Sequence, residues 1–397
     1  MKRYAVVLLA ALALIVAACG GPATTAAPAP TAAPAATDAP APTDAPAPTD
    51  APEPTEVVEA PTEAPAEPTE YPAEEITLGF GGTIPLSHPG VFVPEVLGFY
   101  ADENLTVNVQ PNDGSGQSLQ LLDAGQIQFA QVAPESMIIA RQQGVALVSV
   151  FTVNVFSSKL CALADSEYAD VADFAGTRLG VPSATSSQIP FVKAMLASAG
   201  LDPETAAELV PTGFGAAAAE ALSRGDVAAI GYWGGYYIET EEMGFAYKCF
   251  TLPGMEAAPG HVLVTTEDYL AEHPDIVERF GRAYAKGVYY ASTHPEGAVR
   301  AYWAAYPDAR PLDVPEEDAL ASSGRVIEKS VAEFFFDYPG WMLGHNSPEG
   351  WTAMVQYMVD SAQVEAAIPA DELINNDYIE AMNQWDPAEI EALPDPE

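Results

Sequence analysis

Positive charge is scarce in this sequence. Only 15 Lys and Arg stand against 56 Asp and Glu, and the formal net charge is −41 at pH 7. No Lys or Arg lies between Arg3 and Arg141. Binding to nucleic acid rests on basic side chains that meet phosphates, so this composition excludes nucleic acid as a partner.

The signatures of common enzymes are also missing. The sequence has no Walker-type phosphate loop, no Gly-x-Ser-x-Gly nucleophile elbow and no His-Glu-x-x-His metal helix. The glycine pair after Phe80 lacks the third glycine of a dinucleotide fingerprint. The five histidines are scattered along the chain, at His88, His261, His273, His294 and His345. We therefore expect no catalytic residues, no metal site and no cofactor.

An apolar run at residues 5–16 follows Lys2 and Arg3. It is too short to span a bilayer as a mature helix, and it ends in small residues before Cys19, which is typical of a bacterial lipoprotein signal. We expect residues 1–18 to be removed and Cys19 to receive a diacylglycerol and an added acyl chain such as palmitate. A secretory signal with a chance cysteine is the alternative.

The segment 19–75 is almost wholly Ala, Pro, Thr, Asp and Glu after its first residues, and a Thr-Asp-Ala-Pro-Ala-Pro hexad occurs twice. Frequent proline removes backbone donors, and the acidic side chains repel one another. The sequence therefore predicts an extended, disordered tether. It would hold the folded part at the extracytoplasmic face of the cell membrane, anchored by lipid.

Strand and helix patterns alternate in the remaining residues. Strand-like runs are followed by helical patterns, first over residues 76–151 and again over 178–231, and long helices follow residue 265. Predicted helices in the first set cover 94–100, 118–124 and 135–144. This alternation predicts an α/β fold of two lobes that form a clamp, with a ligand cleft where strand ends face each other.

We expect the chain to cross twice between the lobes. Lobe 1 would begin with 76–165, lobe 2 would cover 166–261, and 262–397 would complete lobe 1 and supply the C-terminal helices. This division places Cys161 and Cys249 in different lobes that must move, so we expect two free, buried thiols rather than a disulfide.

Several segments resemble a known family in their order and spacing. The stretch 88–105 (His-Pro-Gly-Val-Phe leading to Gly-Phe-Tyr-Ala-Asp-Glu-Asn-Leu), the helix-to-strand steps at 121–129 and 221–229, and the segment 170–181 are similar to bacterial solute-binding proteins of the thiamin-pyrimidine, aliphatic-sulfonate and nitrate type. The resemblance covers most of the globular part. It implies a periplasmic-binding-protein-like fold, no enzymatic activity, and delivery of a small ligand to the permease and ATPase of an ABC importer.

The segment from Gly231 to Glu239 departs from this pattern, because it carries four large aromatics and two adjacent glycines. Aromatic faces stack on planar heterocycles, and glycines let the backbone approach a ligand edge. Core packing of these aromatics, and plain helix capping by the serines and threonines, are the alternatives. The candidate ligand-binding residues are Phe80, Thr83, His88, Ser115, Gln131, Glu135, Ser183, Thr185, Ser186, Tyr232, Trp233, Tyr236 and Tyr237.

The aromatic segment favours a flat ligand. We expect riboflavin as the transported solute, with a thiamin pyrimidine precursor second and an aliphatic sulfonate or nitrate less favoured. A tethered surface scaffold without a small ligand is the alternative outside transport.

Overall fold

The computed structural model describes residues 71–81, 84–184, 186, 188–213, 216–312, 314–335 and 342–396. The predicted signal and lipidation site at Cys19, and the candidate ligand residues Thr83 and Thr185, lie outside these residues. Residues Glu67–Glu397 belong to one compact unit, which contains both sheets. None of the helices in the described ranges is both long enough and apolar enough to cross a membrane.

The strands of the described chain are short and mostly buried. They are β1 Glu74–Gly81, β2 Leu105–Asn112, β3 Phe129–Val132, β4 Leu147–Val155, β5 Lys159–Leu163, β6 Arg178–Val181, β7 Glu208–Pro211, β8 Ala229–Tyr232, β9 Tyr247–Phe250 and β10 Pro259–Thr266.

The helices follow the strands in alternation and then fill the C-terminal part. They are α1 Pro89–Val96, α2 Phe99–Asp102, α3 Ser115–Asp123, α4 Pro134–Gln142, α5 Gln188–Ser198, α6 Ala216–Ser223, α7 Gly234–Glu242, α8 Glu267–Glu272, α9 Pro274–Thr293, α10 Pro295–Ala305, α11 Glu316–Val331, α12 Pro348–Asp360, α13 Ile379–Met382 and α14 Pro387–Glu391. Short 3-10 turns lie at Val171–Phe174, Pro307–Ala309, Ala332–Phe334 and Ala370–Glu372.

Two five-stranded sheets organise the described residues. Sheet 1 has the order β2-β1-β3-β10-β4, and sheet 2 has the order β7-β6-β8-β5-β9. In each sheet the first three strands are parallel, and the fourth runs antiparallel to both its neighbours. The two sheets thus repeat one topology, and the predicted α/β clamp of two lobes is confirmed.

The crossings between the lobes lie at residues 156–158 and 251–258. The chain leaves sheet 1 at the end of β4 and enters sheet 2 at Lys159, so the first crossing comes earlier than the boundary expected at 165/166. The second crossing ends at Pro259, where β10 returns to sheet 1.

Each sheet buries apolar side chains on both faces, as a βαβ arrangement requires. The largest cluster packs α1, α9, α10 and α11 on one face of sheet 1, and α4 and α12 cover the other. Smaller clusters pack on sheet 2 around Phe174 and Phe191 and around Tyr232 and Tyr237. Lobe 1, with its C-terminal helices, therefore holds most of the core.

The expectation of two free thiols is wrong. Cys161 and Cys249 form a disulfide, because both lie in sheet 2 and face each other as a registered pair of the antiparallel strands β5 and β9. The error came from the lobe boundary: Cys161 follows the first crossing instead of preceding it.

The described residues include Tyr71, which precedes the start of the globular part that we expect at residue 76. The Arg279 guanidinium lies over the Tyr71 ring, 4.8 Å from its centroid, and the Asn104 side chain donates to the Tyr71 carbonyl at 3.1 Å. Arg279 is fully buried and also donates to the Glu103 carbonyl and to Asp275. Tyr71 therefore packs on lobe 1 at the amino ends of β1 and β2.

Candidate ligand-binding cleft

The topology brings two sheet edges face to face. The carboxyl ends of β1, β3 and β4 share one edge of sheet 1 with the amino end of β10, and the carboxyl ends of β6, β8 and β9 share one edge of sheet 2 with the amino end of β5. Each crossing segment joins one edge to the other. The cleft between these edges is where open α/β folds bind ligands.

Four rings meet at the sheet 1 edge. The His88 ring lies 5.5 Å from Phe80, 5.0 Å from His261 and 6.5 Å from Phe334, measured between centroids, and each contact is edge-on. Phe80 lies near the end of β1, His261 near the start of β10, and His88 caps α1. We call these residues the histidine cluster. The sequence pointed to Phe80 and His88, whereas His261 and Phe334 gave no local signal.

The histidine cluster is electrically neutral at pH 7. Burial lowers the pKa of His88 well below its usual value, and the neighbouring His261 lowers it further. Burial lowers the pKa of His261 to about 4. Each neutral imidazole keeps one donor and one acceptor. His88 Nδ1 lies 3.2 Å from Ser87 Oγ, whereas its buried Nε2 has no hydrogen-bond partner among the described residues.

Gln131 adds an unpartnered donor beside the cluster. It pairs in register with Phe80, and its Oε1 accepts from the Tyr284 hydroxyl at 3.0 Å, which leaves Nε2 as the free end of the amide. That nitrogen is buried without a partner in the described structure. Buried polar atoms are rarely left unpaired, so Gln131 Nε2 is a candidate donor to a ligand.

Gln188 supplies the matching feature on lobe 2. It begins α5, and its Nε2 donates to Ser158 Oγ at 3.0 Å, so the buried Oε1 is left without a partner within the described ranges. Gln188 is not among the candidates predicted from the sequence, although it lies two residues after Ser186. The two edges thus offer an amide donor from lobe 1 and an amide acceptor from lobe 2.

The four predicted aromatics divide into two pairs. Tyr232 and Tyr237 are core residues: the Tyr232 hydroxyl bonds to Thr212 and to the Gly213 carbonyl, and the Tyr237 hydroxyl donates to the carbonyls of β5 and β8. Tyr236 is partly exposed and stacks on Tyr232 at 4.2 Å. Trp233 is partly exposed and caps α7 at the edge of sheet 2.

The remaining candidates lie at strand ends, mostly in local hydrogen bonds. Ser115 Oγ accepts from the Ala133 amide at 3.1 Å and ties α3 to the end of β3. Ser186 Oγ accepts from the Gln188 amide, and Ser183 accepts from the Ser186 amide through its carbonyl. Glu135 lies in the first turn of α4, where burial raises its pKa to about 7.

Three surface cavities lined by described residues lie away from the cleft. One of about 360 Å³ lies at the amino ends of β6 and β8, and two of about 400 and 350 Å³ lie around Arg141 in lobe 1. In the described part of the chain, no group of three or more His, Cys, Asp or Glu side chains is placed to hold a metal ion.

Comparison with known proteins gives consistent matches. The sequence family described as NMT1/THI5 like matches residues 86–298. The formylaminopyrimidine-binding protein of Halalkalibacterium halodurans is 25% identical over 296 residues, 73% of this chain and 86% of that protein. The riboflavin-binding protein RibY of Chloroflexus aurantiacus is 23% identical over 317 residues, 77% of this chain and 86% of that protein.

A solved structure shares the fold. The periplasmic aliphatic sulphonate binding protein SsuA from Escherichia coli superposes with a TM-score of 0.57 at 15% identity, covering 75% of this chain and 96% of that one.

Proposed function

The chain belongs to the NMT1/THI5-like family and is a solute-binding protein of the kind that serves ABC importers, and we propose that its solute is riboflavin. The observation that carries this proposal is a neutral, aromatic cleft: the histidine cluster on lobe 1 lies at one edge and Trp233 on lobe 2 lies at the other. Such a cleft suits a flat, uncharged ring system.

The charge of the cleft argues against anions. His88 and His261 are held neutral, and Lys159, the basic residue that begins β5, faces Glu333. The net charge of the whole chain is −41, which repels anions at long range. A sulfonate or nitrate would therefore meet little compensating charge among the described cleft residues.

The polar atoms of the cleft suit a heterocycle with mixed edges. Gln131 offers a donor and Gln188 an acceptor, so a ring edge that alternates carbonyl and N–H groups satisfies both. The dione edge of an isoalloxazine ring has this pattern. The ribityl chain would then take the hydroxyls of two predicted contact residues, Ser183 and Ser186.

A thiamin pyrimidine precursor is the second candidate. It is favoured by the match to a formylaminopyrimidine-binding protein at 25% identity. A pyrimidine is also flat, carries donors and acceptors on its edge, and needs less stacking area than a flavin.

The experiment that separates these candidates is the analysis of protein purified from rich medium. We expect a yellow preparation with a flavin absorption spectrum, and riboflavin in the extract after denaturation. Release of an aminopyrimidine instead would transfer the proposal to the second candidate. A colourless preparation that binds neither added solute would support the scaffold alternative.

The importer role implies further partners. A separate permease and ATPase would receive the solute, and lobe closure around it would present the docking surface. We propose that the protein is held at the extracytoplasmic face of the membrane by lipid on Cys19, without enzymatic activity or cofactor. Cys19→Ser should give unprocessed or shed protein in fractionated cells, and full membrane attachment of this variant would contradict the anchor.

A further inference from the structure

One helix of lobe 2 is joined to lobe 1 at both ends. Near the C-terminus of α7, Glu242 pairs with Arg325 at 2.7 Å and with Lys329 at 3.2 Å, both on α11. Glu241 pairs with Lys329 at 3.4 Å. The side chains of Arg325, Lys329 and Glu241 are exposed, although that of Glu242 is only 14% exposed. Salt therefore screens these pairs, and each contributes little.

The contact at the other end of α7 is more enclosed. Glu333, in the 3-10 turn after α11, hydrogen-bonds to the Ser157 hydroxyl, and the Gly234 amide donates to the same hydroxyl at 3.3 Å. Gly234 is the first residue of α7, and a Cβ there would overlap Glu333 Oε1 and the Ser157 side chain. The contact therefore requires glycine at position 234.

This contact adjoins the cleft. Phe334, the next residue after Glu333, belongs to the histidine cluster, and Trp233 precedes Gly234. A shift of Glu333 relative to Gly234 would therefore change the distance between the two ring-bearing edges.

We propose that Glu333 is a positioning residue that joins lobe 1 to the start of α7 and makes lobe closure, and through it solute affinity, dependent on pH. This inference rests on the proposed binding function, because it assigns a role in that same cleft.

The charged groups around Glu333 are of both signs. Lys159 on β5 faces it from lobe 2, and α7 contributes Glu239, Glu241 and Glu242. On lobe 1, which carries Glu333, the charged residues are Arg325 and Lys329 of α11. The titratable residues there are His88, which contacts Phe334, and His261, which contacts His88. Burial raises the pKa of Glu333 to about 6 from the usual 4.5, against the opposing effects of Lys159 and Ser157.

The sign of the pH effect follows from linkage. A carboxyl whose pKa is higher in the joined state binds its proton more tightly there, so falling pH favours joining and rising pH through 6 opposes it. At neutral pH the ionised carboxylate therefore weakens closure. A permanently neutral side chain at position 333 should close more readily.

The test compares the full chain with Glu333→Gln by riboflavin fluorescence titration between pH 5 and pH 7.5. At pH 7.5 we expect the variant to bind riboflavin about three to ten times more tightly than the wild type. This is less than the full pKa change of Glu333 would give, because the contact is partly solvated. The ratio of the two dissociation constants should become about three times smaller between pH 7.5 and pH 5. Protonation of His88 and His261 affects both proteins and cancels in the ratio. Glu328→Gln, an exposed carboxylate of α11, is the matched control and should follow the wild type.

A second variant probes the linking hydroxyl. Ser157→Ala removes the bonds to both Gly234 and Glu333, and it should weaken binding about three- to tenfold at every pH. A Glu333→Gln profile parallel to that of the wild type would overturn the proposal.

A readout without solute keeps this inference separate from the proposed function. In ligand-free protein at pH 7.5, Glu333→Gln should slow amide hydrogen exchange in the first turn of α7 relative to the wild type and Glu328→Gln. If riboflavin fails to bind any of these proteins, the proposed function fails and the exchange rates still decide the role of Glu333. Equal exchange in the three proteins would contradict it.

Discussion

Trp233 and Tyr237 occupy neighbouring turns of one segment but have different surroundings. Tyr237 is buried with its hydroxyl bonded to two backbone carbonyls, whereas Trp233 is partly exposed at the helix cap. Stacking and buried area together are worth about 2 kcal/mol, so Trp233→Ala should weaken riboflavin binding about thirtyfold, with little change in the free energy of unfolding. Fluorescence titration and urea denaturation measure the two effects.

Tyr237→Phe is the matched control for that variant. It removes one hydroxyl from the core, so it should lower the free energy of unfolding by about 1 kcal/mol and leave riboflavin affinity unchanged. If Trp233→Ala binds within threefold of the wild type, the stacking ring lies elsewhere in the cleft.

The disulfide acts at the scale of the strand pair. Cys161 and Cys249 join β5 to the edge strand β9, next to both crossings, and close a loop over 88 positions of sequence. Reduction should lower the free energy of unfolding by about 2–4 kcal/mol. Urea denaturation with and without dithiothreitol measures the difference, and the Cys161→Ser, Cys249→Ser double variant should not respond to the reductant. An unchanged midpoint after verified reduction would show that the link adds no stability.

The first residues of the folded part form a second test at this scale. A chain beginning at Tyr71 retains the ring over Arg279, whereas a chain beginning at Ile76 loses that ring and the first two pairs of β1 with β2. We expect the free energy of unfolding of the shorter chain to be lower by about 1–3 kcal/mol, because the buried guanidinium of Arg279 loses its contact with the Tyr71 ring. Both should bind solute alike, since these residues lie at the sheet edge away from the cleft. If the chain beginning at Tyr71 binds solute tenfold more weakly than the full chain, the tether takes part in recognition.

Element types were easier to predict than their limits. The helix predicted over 94–100 is two helices, because Pro89 starts α1 early and Gly98, with φ of 80°, ends it before α2. The strand β5, Lys159–Leu163, was not predicted from the alternation of strands and helices. It follows β4 after only three residues, with no helix between them, and it pairs with strands much later in the chain. That miss also produced the wrong prediction for Cys161.

At the scale of the whole molecule, the repeated βαβ pattern was sufficient to predict two α/β lobes and a cleft between them. The same pattern did not predict which residues lie along the two edges of the cleft. His261, Gln188 and Glu333 reach the cleft through the antiparallel return strand, a helix start and a turn after α11, and no local motif marks them. Contacts of this kind depend on register and packing, which a single sequence does not encode locally.

The negative charge of the chain has one consequence for binding as a whole. Binding of an anion would have to overcome the field of a protein with net charge −41, and its affinity would change with salt because salt screens that field. An uncharged solute held by rings and amide groups should bind almost equally in low and high salt.

Equilibrium titration of the purified full chain with riboflavin tests the central claim most directly. We predict saturable binding of one riboflavin per chain at pH 7.5, with strong quenching of flavin fluorescence by the cleft aromatics and little change between low and high salt. Alkanesulfonate and nitrate should not displace it. Tight binding of an aminopyrimidine or a sulfonate with no quenching of added riboflavin would contradict the claim.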